Sequence, residues 1–176
     1  MATRKAAPAK KAASTKKAAG TKKPAKAKRE SVAESWAKGY QAFTDAAQER
    51  FAFLVRDHGY AAPVVSIDPP DAVVTFAKGD SFVRISSEYS AVPEVLVKAW
   101  NGEPYGLHVI IAELDPDYAK QKPVPAKSTF TDDEHRAMVA YQATFLERHA
   151  STVLHADPAL VARFHAREAA LRAARG

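Results

Sequence analysis

Four runs rich in Val, Ile, Phe and Thr, separated by short turn-forming clusters, constrain the fold of this chain more than any other feature. Such residues favour β-strands, and the glycines between the runs supply the positive φ angles of tight turns. The pattern predicts two β-hairpins that form one four-stranded antiparallel meander, with a further short strand at 64–67 before it. The four predicted strands are Ala72–Ala77, Ser81–Ser87, Glu94–Trp100 and Leu107–Leu114.

Alternation along these strands assigns their side chains to two faces of unequal character. The apolar face is expected to pack against helices and contains Val74, Phe76, Val83, Ile85, Val95, Val97, Leu107, Val109 and Ile111. The opposite face is mixed and contains Thr75, Phe82, Arg84, Leu96, Lys98, Trp100, His108 and Ile110.

The mixed face has two interpretations. The first helix half covers it, with Arg and Lys stems lying over apolar neighbours, or the face docks a protein partner. In the second case the predicted partner-binding residues are Arg84, Lys98, Trp100 and His108, because aromatic and cationic side chains commonly anchor interfaces.

A helix is predicted on the amino-terminal side of the strands. Ser31 and Glu34 have the spacing of a capping box, in which each side chain satisfies a backbone N–H of the other residue. Aromatic and apolar residues then recur every three or four positions up to about His58. Gly59 follows and is expected to end this helix.

Two helices are predicted after the strands. A second capping box begins at Thr131, and the helix after it is expected to reach about Leu154. Asp157-Pro158 places an N-cap and a first-turn proline at the start of the last helix. The pattern predicts an α+β domain with a C-terminal helical hairpin.

Cationic side chains are concentrated at the start of the chain. Residues 1–29, the cationic tail, contain nine Lys and two Arg without any acid, a net charge of +11. The other residues carry 15 cationic and 20 anionic side chains, so their net charge is −5. The cationic tail has too little apolar surface to offset the entropy of ordering. We predict a disordered tail and a single domain over residues 30–176.

Lys-Lys pairs recur every six residues in the cationic tail, within Lys-Lys-Ala-Ala and Lys-Lys-Pro-Ala units. These units resemble the tails of linker histones and of lysine-rich bacterial nucleoid proteins. The resemblance implies sequence-independent binding to nucleic acid. The physical chemistry independently allows such binding, because Lys ammonium groups neutralise phosphates whatever the base sequence. The alternative is a segment that only solubilises or tethers the domain at residues 30–176, which we call the body, or an artefact of the assigned translation start. The predicted nucleic-acid-binding residues are Lys10, Lys11, Lys16, Lys17, Lys22, Lys23, Lys26, Lys28 and Arg29.

The body carries a second resemblance. The segment Phe51–Tyr60, the predicted meander and a helix ending near His149 resemble small, uncharacterised bacterial α+β domains, some of which are grouped with toxin-immunity proteins. This resemblance implies binding to a protein partner and not catalysis.

Motifs for catalysis or metal binding are missing from the sequence. It has no glycine-rich phosphate loop, no Gly-x-Ser-x-Gly elbow and no His-Glu-x-x-His pair. The acids that precede His135 are interpreted as partners of the helix dipole. His149, His155 and His165 lack the spacing of a metal site. We therefore expect no enzyme activity, no metal and no cofactor.

Cysteine is absent, which excludes disulfides and fits a reducing compartment. Neither a secretory signal nor a membrane-spanning segment is expected, because no apolar run is long enough. We predict a cytoplasmic, non-enzymatic binding protein. Nucleic-acid contact through the tail and a protein partner on the mixed face are the two candidate functions, and an enzyme assembled from distant residues is the third.

Overall fold

The computed structural model describes residues 32–88, 91–99, 102–124 and 130–174. In these ranges the chain has the predicted α+β architecture. The strands are β1 (Val64–Asp68), β2 (Asp71–Lys78), β3 (Ser81–Glu88), β4 (Glu94–Lys98) and β5 (Tyr105–Gly106). The helices are α1 (Val32–Arg50), α2 (Phe53–His58), α3 (Leu107–Leu114), α4 (Pro116–Ala119), α5 (Asp132–Arg148), α6 (Ala150–Leu154) and α7 (Pro158–Ala173). The cationic tail lies outside the described residues.

The strands form one antiparallel sheet in the order β1-β2-β3-β4-β5. The predicted β2–β3 hairpin is confirmed: Lys78 pairs with Ser81, and Gly79 in the turn has φ +56°. The short strand predicted before the meander is also confirmed as β1. The inner face of the sheet is buried, as alternation predicted, and includes Val74, Phe76, Val83, Ile85, Val95 and Val97.

The prediction of a long fourth strand at Leu107–Leu114 is wrong. Only Tyr105–Gly106 pair with β4, and the chain then enters α3. Alternation had placed His108 and Ile110 on one face, yet Ile110 is 1% exposed and His108 is exposed to solvent. Apolar residues at Leu107 and at the positions three, four and seven later fit a helix, which packs against β4, α4 and α7.

The predicted first helix is present but interrupted between α1 and α2. The N–H of Ala52 donates to the carbonyl of Glu49 at 3.3 Å, an i→i−3 bond that ends the regular α-helical pattern. Gly59 ends α2 with φ +71°, as predicted. The ring centroid of the buried Phe51 lies 6.4 Å from that of Phe76. Phe51 directly follows α1, and Phe76 points inward, so α1, which contacts β1 and β2, lies over the inner face of the sheet.

The C-terminal helices have the predicted caps. The N–H of Thr131 donates to Glu134 Oε2 at 2.9 Å in a complete capping box, and the Asp157 side chain caps α7. The predicted long helix divides at His149 into α5 and α6. These helices do not pack mainly on each other as a hairpin would: α5 packs against α1, and α7 packs against α3. An ion pair of 2.6 Å between Arg163 and Glu113 links α7 to α3.

Candidate functional site

The outer face of the sheet is the candidate functional surface. In the described part of the chain, the helices α1 and α3 lie over the buried inner face of the sheet, and α3 reaches the outer side only at the edge, through His108. Its side chains are half-buried or exposed, and Val64 is 69% exposed. The interpretation in which the first helix half covers this face is therefore wrong. By strand register, the outer face includes Val64, Val73, Thr75, Phe82, Arg84, Ser86, Leu96 and Lys98.

Cross-strand register arranges these side chains in rows. Thr75, Arg84 and Leu96 are direct neighbours on β2, β3 and β4, and Phe82 pairs with Lys98 in the next row. The guanidinium carbon of Arg84 lies 4.9 Å from the centroid of the Phe82 ring. A cation over an aromatic face is attracted by the ring quadrupole while its N–H groups stay available to a carboxylate. The centre of the outer face is thus apolar and cationic.

One end of the outer face has the opposite charge. Asp68 pairs with Asp71, and Asp71 pairs with Glu88, so three carboxylates form a row across β1, β2 and β3. Like charges on neighbouring strands repel each other, and all three side chains are exposed to solvent. A complementary partner would carry cations at this end and carboxylates opposite Arg84 and Lys98.

Two of the four predicted partner-binding residues lie on this surface as expected. Arg84 is exposed, and Lys98 is half-buried. Trp100 lies outside the described residues. Sequence reasoning missed Val73 and Ser86, although period-two alternation with Thr75 and Arg84 could have identified both.

His108 lies at the edge of the outer face, but a helix and not the predicted strand places it there. It belongs to α3 and not to a strand. However, Gly106 pairs with the outward-facing Leu96, so a side chain at position 106 would also point outward. A Cβ built at Gly106 would lie only 2.6 Å from His108 Cε1. The imidazole therefore takes the place of an outward side chain at Gly106. Ile110, predicted on the same face, is buried in the core.

The nine predicted nucleic-acid-binding residues of the cationic tail, from Lys10 to Arg29, lie outside the described residues. Within the described ranges, no group of three or more His, Asp or Glu side chains is placed to hold a metal ion. His165 instead contacts the hydroxyl of Tyr105 through its Nε2 at 2.5 Å. No helix in this part of the chain combines the length and apolar character needed to cross a membrane.

No protein-family model, curated protein or solved structure matches this chain. The resemblances to linker-histone tails and to immunity-like domains therefore stay predictions.

Proposed function

We propose that this protein is a non-enzymatic, cytoplasmic protein that binds nucleic acid without sequence preference through its cationic tail. The observation that carries the proposal is the segregation of charge, +11 in residues 1–29 against −5 in the rest. Lys side chains that neutralise phosphates release condensed counterions, which drives binding to any sequence. An acidic body repels the same polyanion, so the tail meets it first.

Ion pairs within the body support the proposal that the tail, and not the body, contacts the nucleic acid. Four of its cations, one directly after α4 and three on α5 and α7, lie 2.6–2.9 Å from carboxylates of the same chain. Exposed pairs of this kind contribute little stability, but each one removes a cation that a phosphate could use. The pairs are Lys120–Asp117, Arg136–Asp133, Arg163–Glu113 and Arg172–Glu168.

The test uses the full chain with its three Lys-Lys pairs replaced, at residues 10–11, 16–17 and 22–23. Exchange of all six Lys for Gln removes six of the 11 tail charges. We expect it to weaken binding to a short DNA duplex by at least about a hundredfold near physiological salt. The matched control exchanges the same six Lys for Arg, which keeps the charge and should keep the affinity. Equal binding by the Gln and Arg variants would contradict the proposal.

A second candidate function is binding of a protein partner on the outer face. The sheet face that no described helix covers favours it, because Phe82 and Leu96 offer apolar area beside the cations of Arg84 and Lys98. The expected partner surface has an apolar centre and carboxylates that face these two cations.

This candidate is tested by affinity capture with the chain as bait, followed by mass spectrometry. A partner of the outer face should be lost from the Arg84→Glu variant and retained by Arg172→Glu, an equal charge change on the exposed surface of α7. Recovery of the same proteins with both variants would argue against the outer face.

A further inference from the structure

Strand β1 lies at one edge of the sheet and pairs with β2 on one side, so its other side is free within the described part of the chain. Val64 is 69% exposed and Val65 is 39% exposed. In the described ranges, Val55 is the only other large apolar residue that is exposed. An exposed apolar edge strand favours pairing with a strand of another chain unless cations or prolines interrupt it. β1 contains neither, since its sequence is Val-Val-Ser-Ile-Asp.

The backbone groups on the free side of β1 are those of Val65 and Ile67. Successive residues of a strand point their N–H and C=O groups to alternate sides. The N–H of Ala61, just before β1, donates to the carbonyl of Ala77 at 2.8 Å, so Ala77 points its backbone groups towards β1. By alternation, every second residue of β2 before it does the same, and Ser66 is opposite one of them. Ser66 therefore bonds to β2, and its two neighbours point to the free side.

An antiparallel second copy of β1 complements this edge. Pairing centred on Ser66 places Val65 of each copy opposite Ile67 of the other, and each of these two pairs exchanges two backbone hydrogen bonds. The register uses every backbone group that points to the free side. It also covers the exposed Val65 side chain with that of Ile67. Pro63 and the Pro69-Pro70 turn lack N–H groups, so the pairing ends where β1 ends.

Charge favours the antiparallel orientation. Asp68, Asp71 and Glu88 form the row of carboxylates at one end of the outer face. Parallel pairing of two copies would bring both rows side by side, where they repel, whereas antiparallel pairing places them at opposite ends of the joint sheet. Helix α1 lies over the inner face of β1 and β2, yet it leaves Val65 39% exposed. The helix therefore does not close the edge.

We propose that two copies of this chain pair through β1 in an antiparallel, two-fold symmetric dimer. The two five-stranded sheets then join into one continuous sheet. Directly opposite residues lie on the same side of a sheet, so the outer faces of the two copies also become continuous. The contact consists mainly of one short strand from each copy, so we expect a dimer that dissociates on dilution. This inference does not depend on binding to nucleic acid.

A disulfide at the symmetry axis tests the register. The chain contains no cysteine, so Ser66→Cys introduces a single thiol. The proposed pairing places the two Cα atoms at position 66 about 4.5 Å apart, within the range of about 4.4–6.8 Å found for disulfides. Mild oxidation of the full chain should therefore give a covalent dimer on a non-reducing gel. Ser151→Cys, at an equally exposed serine on α6, is the control and should stay monomeric. Equal crosslinking by the two variants would overturn the proposed register.

Sedimentation equilibrium of the full chain at physiological salt measures the dissociation constant of the dimer. Val65→Lys replaces an apolar contact that occurs twice in the symmetric interface, so it should raise this constant at least about tenfold. Val55→Lys, on α2, is the matched control because Val55 is 38% exposed, and it should leave the constant unchanged. A parent chain that stays monomeric at every concentration up to the millimolar range, or equal dimerisation by the two Lys variants, would refute the dimer.

Discussion

Truncation of Leu96 tests whether the outer face of the sheet is uncovered in the free protein. Leu96 is half-buried on that face, between Arg84 on β3 and Gly106 on β5. The matched control is Leu54 on α2, which is 0% exposed and belongs to the main core. Both residues are changed to Ala, so the chemistry removed is identical and only the environment differs.

The expected losses follow from burial. A fully buried Leu replaced by Ala loses its transfer free energy and leaves a cavity, so Leu54→Ala should lower the free energy of unfolding by about 3–4 kcal/mol. Leu96 gives up only part of the ~1.5–3 kcal/mol that full burial of such a side chain contributes, and no closed cavity forms. We therefore expect Leu96→Ala to cost about 1 kcal/mol.

Urea denaturation of the two variants measures both values under the same conditions. The dependence of the unfolding free energy on urea should stay unchanged, so that the shift in midpoint reports stability alone. A loss of about 3 kcal/mol or more for Leu96→Ala would mean that the outer face is covered in the free protein. It would also remove this face from consideration as a docking surface.

The two remaining stability predictions concern the tyrosines Tyr118 and Tyr141 and a helix cap. Burial raises the pKa of the Tyr118 and Tyr141 hydroxyls, so the unfolded chain releases these protons near pH 10 while the folded chain keeps them. The stability they contribute is present below about pH 10 and is lost at higher pH, and urea titrations at pH 9 and 11 should show a smaller loss for Tyr141→Phe than for the parent chain. Thr131→Ala removes the capping box of α5 and should cost about 1 kcal/mol by urea denaturation, whereas Thr152→Ala, exposed on α6, should change stability by less than about 0.5 kcal/mol. An equal pH response with Phe at position 141, or equal losses for the two Thr variants, would contradict these explanations.

Local patterns predicted much of the fold. The Gly79 turn, the inner face of β2, β3 and β4, and the caps at Thr131 and Asp157 depend on neighbouring residues, and the structure confirms them. The position of Arg84 and Lys98 on the outer face also followed from alternation along single strands.

The errors arose where tertiary packing decides between two local patterns. Residues 107–114 fit both a strand and a helix. Apolar side chains alternate at Leu107, Val109 and Ile111, as in a strand, and they also recur at the helical spacing of Leu107, Ile110 and Leu114. The helix forms because β4, α4 and α7 pack around its buried side, while His108 on its other side stays exposed. The contact between Gln142 and Pro93 could not be predicted, since it joins residues 49 positions apart, nor could the point at which β5 ends.

The dependence of DNA affinity on salt tests the proposed nucleic-acid binding most directly. If the cationic tail makes about six phosphate contacts, log K should fall with log salt with a slope near about −5. Two duplexes of unrelated sequence should give the same slope and affinities within about threefold, because phosphate contacts carry no sequence information. A slope near zero, or a strong preference for one duplex, would contradict binding through the tail.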